Sequence, residues 1–595
     1  MTIKLAGENI TDVIGHLSLN LNMDKHSQFT LQFANEDSSR IFRGTLADSS
    51  KKWIGKPLEV EGFFKGIVTT VSLSRAQGGS SDFVIRGQSP TILMDDGINT
   101  QSFKDQPLQQ IIDAVLKTYN GKLGDLDINP TYKTPLKYIV QYRESNFDFI
   151  NRLAARYGQW FYYDGQKLIL GNAPKSKPIF LKFGMDLSHF DISMKALPLN
   201  FKVLGYDYKD HKTIKGEPDY KPLDHEYADI ALNKSKGEVF PQKPVVPINM
   251  SMSQEDLKQI SKLRQNVHLD ELVVLSGASS NQTLCVGSTI EIIDERDGLI
   301  AGGVDKYGKY IITHLTHEFG TRAESYSNHF EAIPAGAEMP PLSISPDPPT
   351  CEMQEAKVKE NNDPDGMGRV KVQFIWQEEK NDMTNWIRVA APQGGGDKGF
   401  YILPEKGDQV LVAFEHNHPE RPYVLTGMYH GKSKPEHHDP ENLKKAIKTK
   451  GGHQILMNDE KGKESMALSS PFDFSAAATA GDMNLKAKSK ITIKSDSGDI
   501  TITTPTNISV DAKGNITIEA KGDITIEAVN INLKGKAAIN LEAPTINIKA
   551  DAELNASAPQ VTIDGKMMTT VKGGAMLNVE SMGITSVSGT MLKLN

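Results

Sequence analysis

The chain contains only two cysteines, Cys285 and Cys351, in 595 residues. Two cysteines cannot form a framework of several disulfides, so the composition indicates a protein made in a reducing compartment. No run of eighteen apolar residues occurs, and the N-terminal residues lack the apolar core of a signal peptide. We therefore expect synthesis in the cytoplasm without a signal peptide, and no membrane-spanning helix.

The last segment of the chain lacks whole classes of side chain. Residues 475–595 contain no Phe, Tyr, Trp, His, Cys or Arg, and their 12 Lys balance 12 Asp plus Glu. Such a surface is poor at stacking on sugars or bases and at forming interface hot spots. The net charge of the whole chain, −7, also argues against nucleic acid as a partner. The segment is predicted to be a mechanical rod.

The same segment contains an eight-residue repeat, read from Ile491 onwards as ITIKSDSG, DITITTPT, NISVDAKG, NITIEAKG and DITIEAVN. Because side chains alternate faces along a strand, each octad points two apolar residues to one side. The predicted apolar ladder consists of Ile500, Ile502, Ile508, Val510, Ile516, Ile518, Ile524 and Ile526. One octad is too thin to enclose a core, and three chains are the smallest number that closes a prism. The repeat therefore predicts a homotrimeric β-prism.

The front of the chain is rich in alternating apolar and polar residues, which is typical of β-strands. Residues 1–95 and 271–333 each fit a small antiparallel barrel. Six prolines between residues 334 and 349 indicate a domain boundary, and we place a linker at 334–350.

Three helices are predicted between these β-rich parts. One covers about 105–120, where an apolar stripe recurs at helical spacing. A second begins after Ser145, where Asp148 completes a capping box, and a third begins after Ser253, with Asp256 three places on.

The segment QYRESNFDFINRLAARYGQWFYYDG, residues 141–165, resembles the signature of the phage late-control and VgrG family, the hub of contractile injection machines. The resemblance implies two tube-like β-barrels with helical insertions in this part of the chain.

The phrase DPDGMGRVKVQFIWQ and the text that follows it resemble the oligonucleotide/oligosaccharide-binding-like (OB-like) domain of VgrG spikes. The positions that match the family pattern include Asp365, Gly368, Arg369, Trp376, Trp386, Pro404, Gly407, Arg421 and Pro422. Glycine and proline at the turns fit a small five-stranded barrel. The sequence after it, IKTKGGHQILMNDEKGKESM, resembles the segment that leads into the prism in this family.

These observations predict a mainly β fold with tandem tube-like β-barrels, an OB-like small barrel and a trimeric intertwined β-helix. The predicted divisions are the hub at 1–333, the linker at 334–350, the OB-like neck domain at 351–431, the connector at 432–474 and the β-prism needle at 475–595.

Residues that could carry chemistry are better explained as structure. Residues 361–366 resemble the start of a calcium loop, but the twelfth position is Val372 and cannot supply the bidentate ligand. The glycines at 394–396 lack the Lys-Ser/Thr of a phosphate loop and indicate a hairpin tip.

The histidines and cysteines also lack the spacing of known sites. His314 and His317 fall on opposite faces of a predicted strand, and His416 and His418 lie in a hairpin where we expect them to be solvated. Neither cysteine lies in a histidine or acid signature of a catalytic site. We expect no catalytic residue, no cofactor, no metal and no enzymatic activity.

The resemblance implies a spike at the tip of a type VI secretion tube that punctures target membranes. Its partners would be the tube protein and baseplate at the hub, secreted effectors, and transiently the target membrane. We expect the chain to end at Asn595 without an appended domain, and Met591, Leu592 and Leu594 to form an apolar platform for a PAAR-type tip protein. The machine itself would export the protein to the extracellular space or the target cell.

Three alternatives stay open. The chain could be the equivalent spike of an extracellular contractile particle or a phage tail. It could be a receptor-binding fibre with the prism as its stalk. It could also be a peptidoglycan- or polysaccharide-degrading enzyme on a β-helix.

Overall fold

The computed structural model describes residues 1–33, 45–75, 81–295, 304–340 and 347–594. Strands make up 33% and helices 14% of it, so the predicted mainly β class is confirmed. The chain divides into two compact units, Met1–Phe474 and Ser475–Asn595. Among the residues described, no helix is both long and apolar enough to cross a bilayer.

The hub is built mainly from β-strands. In chain order they are β1 (Ile3–Leu5), β2 (Glu8–Asn9), β3 (Ile14–Asn22), β4 (Gln28–Phe33), β5 (Pro57–Val60), β6 (Phe64–Arg75), β7 (Ser81–Gln88), β8 (Asn99–Gln106), β9 (Asp125–Ile128), β10 (Leu136–Glu144), β11 (Trp160–Tyr163), β12 (Lys167–Gly171), β13 (Ile179–Lys182), β14 (Leu187–Met194), β15 (Lys202–Asp207), β16 (Lys212–Gly216), β17 (Val245–Ser251), β18 (Val273–Ser279), β19 (Thr289–Glu295), β20 (Val304–Phe319) and β21 (Tyr326–Pro334).

Thirteen of these strands form one sheet, in the order β14-β18-β21-β20-β3-β4-β7-β6-β5-β1-β2, with β19 on β20 and β13 on β19. The two predicted barrel segments are joined in this half-barrel sheet, because β20 pairs antiparallel with β3, Leu315 opposite Leu21. Side chains alternate as predicted: Leu17 and Leu19 are buried, whereas Ser18 between them is partly exposed. The smaller hub sheets are β10-β8, β11-β12-β9 and β16-β15-β17.

The predicted helices are confirmed. The α-helices of the described residues are Leu46–Trp53, Leu108–Leu116, Asn146–Arg156, Glu226–Lys234 and Gln254–Leu269. Ser145 accepts a hydrogen bond from the backbone N–H of Asp148, which is one half of the predicted capping box. Ser253 and Asp256 form the complete box.

Short helical turns connect these elements. A short π-helix covers Ser235–Val239. The 3₁₀ turns are Thr11–Val13, Pro90–Asp95, Lys117–Tyr119, Thr321–Ala323, Ile375–Gln377 and Glu415–Asn417.

The OB-like domain has the strands β22 (Gln354–Glu360), β23 (Lys371–Phe374), β24 (Gly394–Gly395), β25 (Lys398–Gly399), β26 (Gln409–Phe414) and β27 (Pro422–Met428). Four of them form a sheet in the order β23-β22-β26-β27. Bridges at Val370–Ile387 and Val389–Val424 extend it. The glycine-rich segment forms the short hairpin β24–β25, which confirms the predicted hairpin tip.

The predicted linker has two parts. Residues 341–346 lie outside the described residues. Just before them, Met339 is buried, and the carbonyl of Glu338 accepts a hydrogen bond from the Trp160 indole at 3.2 Å. The start of the linker is therefore packed on the hub.

The connector holds a three-stranded antiparallel meander, β28 (Lys444–Lys448), β29 (Gln454–Asn458) and β30 (Ser465–Ser469). In the second unit, described to residue 594, no helix or strand is assigned in the single chain. All eight residues of the predicted apolar ladder are exposed, for example Ile516 at 56% and Ile518 at 74%. The trimeric packing of this unit stays a prediction.

Candidate functional site: the joint between hub and OB-like domain

Strand β10 belongs to two hydrophobic cores. It pairs with β8 in the hub, and Ile139 packs in the main hub core. Tyr138, Val140 and Tyr142 lie in a second cluster with the buried apolar residues of the OB-like domain. Since strand side chains alternate, one face of β10 serves the hub and the other the OB-like domain. We call this contact region the joint.

A buried ion cluster lies beside β10. Arg152, on helix Asn146–Arg156, donates to Glu144 at 2.6 and 3.0 Å and to the Val140 carbonyl at 3.0 Å. One turn later, Arg156 donates to Glu420 of the OB-like domain at 2.7 Å. The Glu420 side chain is 3% exposed, and Arg152 approaches it at 3.8 Å. Two arginines of the hub thus hold one carboxylate of the OB-like domain.

The electrostatics of Glu420 follow from this geometry. Burial disfavours its charge, but attraction to Arg156, His418 and Arg152 overrides burial and lowers its pKa to about 2. For Glu144, burial outweighs the contact with Arg152 and raises the pKa. Glu420 is therefore a charged residue at neutral pH in an interior position, which is stable only while its arginines are in place.

His418 corrects an expectation. The hairpin position predicted a solvated histidine, and this is wrong for His418, which is 8% exposed. Burial lowers its pKa to about 3, with Arg156, Arg421 and Arg152 opposing and Glu420 favouring the charged form. The ring is buried because the hub covers this hairpin, which residues near His418 in sequence cannot reveal. His416 is exposed as expected.

His314 and His317 lie on opposite faces of β20, as predicted. His317 is 1% exposed, shares a hydrogen bond with the Tyr326 hydroxyl at 2.7 Å, and has its pKa lowered by burial to about 4. His314 points to the opposite face, and its ring shares a hydrogen bond with the Asn22 side chain. Within the described residues, no group of three or more His, Cys, Asp or Glu side chains is placed to hold a metal ion.

The OB-like motif forms a turn closed by an arginine. Arg369, 3% exposed, donates to Asp363 at 2.8 and 2.7 Å and to Asp365 at 2.6 Å. Asp363 also accepts from the backbone N–H groups of Asp365, Met367 and Arg369. The hydrogen bond from Arg369 lowers the pKa of Asp363 well below its ordinary value. The carboxylates that resembled a calcium loop are thus used within the turn, and Gly368 supplies the positive φ of +68° that it needs.

The remaining motif residues have structural contacts. The Trp376 indole donates to Gln354 at 3.0 Å, Lys371 lies over the Trp386 ring, and the Pro404 carbonyl accepts from Asn361. Gly407 has a φ of +99°, and Pro422 begins β27.

Arg421 extends the joint to a second hub helix. Its guanidinium lies 3.5 Å from Asp256, the residue that completes the capping box of helix Gln254–Leu269. On that helix, Gln259 donates to the Arg156 carbonyl at 3.3 Å. The OB-like domain is therefore held by two hub helices and by β10.

Sequence reasoning missed the ion cluster. Glu144, Arg152, Arg156 and Glu420 were not singled out, although a signal exists. Arg152 and Arg156 are four residues apart beside the apolar stripe of a capped helix, and that spacing places both on one face. Two arginines on the packed side of a helix indicate buried acidic partners.

One arrangement resembles a catalytic triad and does not work as one. His26 contacts Asp95 at 2.9 Å and Thr91 at 2.8 Å. The Thr91 hydroxyl also bonds Ser89, and both residues are buried at 2% and 0% exposure. A hydroxyl closed off in this way cannot reach a substrate carbonyl, so the group is a structural polar network in which Ser89 and Thr91 are buried and Asp95 lies at the surface.

Comparison with known proteins agrees with this architecture. The model of the phage tail baseplate hub (GPD) family matches residues 25–323, and that of the type VI secretion system/phage-baseplate injector OB domain matches 354–429.

Among curated proteins, the type VI secretion system spike proteins VgrG1c and VgrG1a of Pseudomonas aeruginosa are 23% and 25% identical, each over 70% of this chain. The match spans 62% of VgrG1c, less than two thirds of its length, and 70% of VgrG1a. Among solved structures, an E. coli component of the type VI secretion system, described as similar to the T4 tail proteins gp27 and gp5, covers 72% of this chain. It aligns over its whole length with a TM-score of 0.46 and 16% identity.

Proposed function

This chain belongs to the phage tail baseplate hub family, in its VgrG group, and from that premise we propose that it is the homotrimeric spike at the tip of a type VI secretion tube. In this proposal the hub binds the tube protein and baseplate, the OB-like domain is the neck, and residues 475–595 form the needle. The role is mechanical and not catalytic: the needle punctures the target membrane and carries effectors.

The exposed octads are the observation that supports this proposal most. The apolar ladder of the single chain is open to solvent, with Ile508 at 59%, Val510 at 70% and Ile524 at 55%. Apolar surface repeated over such a length is characteristic of an interface. Three chains winding together would bury the ladder and exchange backbone hydrogen bonds, which leaves no free sheet edge along the rod.

The size of the rod follows from strand spacing. Strands stack about 4.8 Å apart, so about thirteen octads give a rod on the order of 60 Å, if each octad adds one strand spacing. A rod held by ladders between chains resists local unfolding under axial load.

We also propose that a PAAR-type tip protein docks on the end of the needle. Met591, Leu592 and Leu594 are 85%, 58% and 84% exposed, and three copies of them would form an apolar platform. The machine would export the assembled spike to the extracellular space or the target cell.

Native mass spectrometry of the full chain tests the proposal. We expect a trimer of three 65.5 kDa chains that persists on dilution, because winding together would bury the apolar ladder that the single chain exposes. A stable monomer at micromolar concentration would contradict the spike. Detection of peptidoglycan hydrolysis by the purified chain would contradict the non-catalytic role.

A further inference from the structure

The meander β28–β30 of the connector has one apolar face. Its register places Ile447, Ile455 and Leu468 in one row across the three strands. The next row on the same face has Met457 opposite Met466, with Lys445 on the outer side of Met457, where its ammonium group contacts Asp459 at 2.7 Å. Side chains alternate, so these five apolar residues share a face while Ala446, Leu456 and Ala467 point to the other.

This apolar face is uncovered in the single chain. Ile447, Met466 and Leu468 are 47%, 65% and 55% exposed, and the hydrophobic clusters of the described residues include none of the five. A three-stranded sheet needs a packed apolar face to be stable in water. We therefore expect another protein surface to pack against this face.

The octad sequences do not by themselves fix the alignment of neighbouring chains. Residues 515–522 read NITIEAKG and residues 523–530 read DITIEAVN, so a chain displaced by one octad still places isoleucine against isoleucine. Pairing register is specified only where the side-chain pattern changes between positions. A repeat of this kind specifies that chains pair and leaves the alignment between chains open.

We propose that the meander sets the register of the needle: its apolar face packs against the same face of two further copies of this chain. The inference rests on the proposed trimer. The meander suits this role because its sequence does not repeat and because Ser475, the start of the second unit, follows Ser469 by six residues. Once three meanders are aligned, a slip of one octad forces a chain to loop out eight residues.

The test compares two neighbouring substitutions in the full chain. Leu468→Glu places a carboxylate on the apolar face, and Ala467→Glu places the same group on the other face of the same strand. Three carboxylates at a buried contact are strongly unfavourable. We expect a roughly tenfold or larger fall in the trimer fraction at micromolar concentration for Leu468→Glu only, measured by native mass spectrometry.

The possible outcomes test the inference and the proposed trimer separately. If both variants form trimers as the parent does, the meander faces do not pack against one another, and the inference fails while the trimer stands. If the parent is a monomer, the proposed function itself fails. Thermal unfolding of the hub and OB-like domain should match in the two variants, and Met466→Gln, a milder change on the same face, replaces Leu468→Glu if it does not.

A second measurement asks where the alignment starts. The full chain is co-expressed with a chain that lacks residues 515–522. Alignment from the meander lets the two lengths combine, with one octad unpaired at the far end, so we expect mixed trimers at statistical frequency. Separate trimers of each length would show alignment from the far end and overturn the inference.

Discussion

Glu420 is the residue on which the joint depends most. Its carboxylate is buried, comes from the OB-like domain, and is held by Arg156 at 2.7 Å and approached by Arg152 at 3.8 Å, both from one hub helix. A buried pair is weak evidence for stability as such, but removing one partner leaves a charge without compensation. The cluster therefore acts chiefly to fix how the two domains meet.

Glu420→Gln should destabilise the full chain by roughly 3–5 kcal/mol, because the buried Arg152 and the partly buried Arg156 lose their shared carboxylate. Urea unfolding followed by tryptophan fluorescence measures this. Glu405→Gln is the matched control: Glu405 is about half exposed and lies 3.8 Å from Lys450, so a change within about 0.5 kcal/mol is expected. Equal effects of the two substitutions would show that the cluster adds nothing to the joint.

At the scale of elements, β10 links two cores that could otherwise unfold separately. Ile139 on one face is 3% exposed in the hub core, and Val140 on the other is fully buried in the OB-like core. The two domains are therefore expected to open as one cooperative unit.

Truncation on either face of β10 should loosen both domains. We expect Ile139→Ala to cost roughly 2–5 kcal/mol and Val140→Ala somewhat less, because each leaves a cavity. In hydrogen exchange, both variants should raise the exchange of β4 and β7 in the hub together with β22 and β26 in the OB-like domain. Faster exchange confined to the hub for Ile139→Ala and to the OB-like domain for Val140→Ala would contradict a shared element.

At the scale of the whole molecule, the second unit leaves its apolar ladder exposed in the single chain. A single chain exposes both its ladder residues and the polar residues between them, and burial alone does not distinguish the two. The difference between inward and outward positions would arise when chains combine.

Ile516→Asp should abolish or strongly weaken the trimer, whereas Thr517→Asp should leave it intact. In the proposed trimer, the first would place three carboxylates in the apolar core and the second would place them in solvent. The trimer fraction after dilution, by native mass spectrometry, measures the effect. Identical behaviour of the two variants would mean that the octads do not alternate between inside and outside.

Local features were predictable from the sequence because they depend on residues a few positions apart. Ser253 with Asp256 predicted a capped helix, and the glycines at 394–396 predicted a hairpin tip. The joint was not predictable in this way. Glu420 and Arg156 are separated by 264 residues, and nothing near either residue in sequence indicates the partner.

The sequence by itself determined the mainly β class, the helix starts and the eight-residue ladder, because each depends on the pattern of side chains a few residues apart. Only the tertiary structure decided that β3 and β20 join the two barrel segments, that β10 serves two cores, and that His418 is buried. These facts depend on which distant surfaces meet. That choice is made by the packing of the whole chain and not by any local pattern.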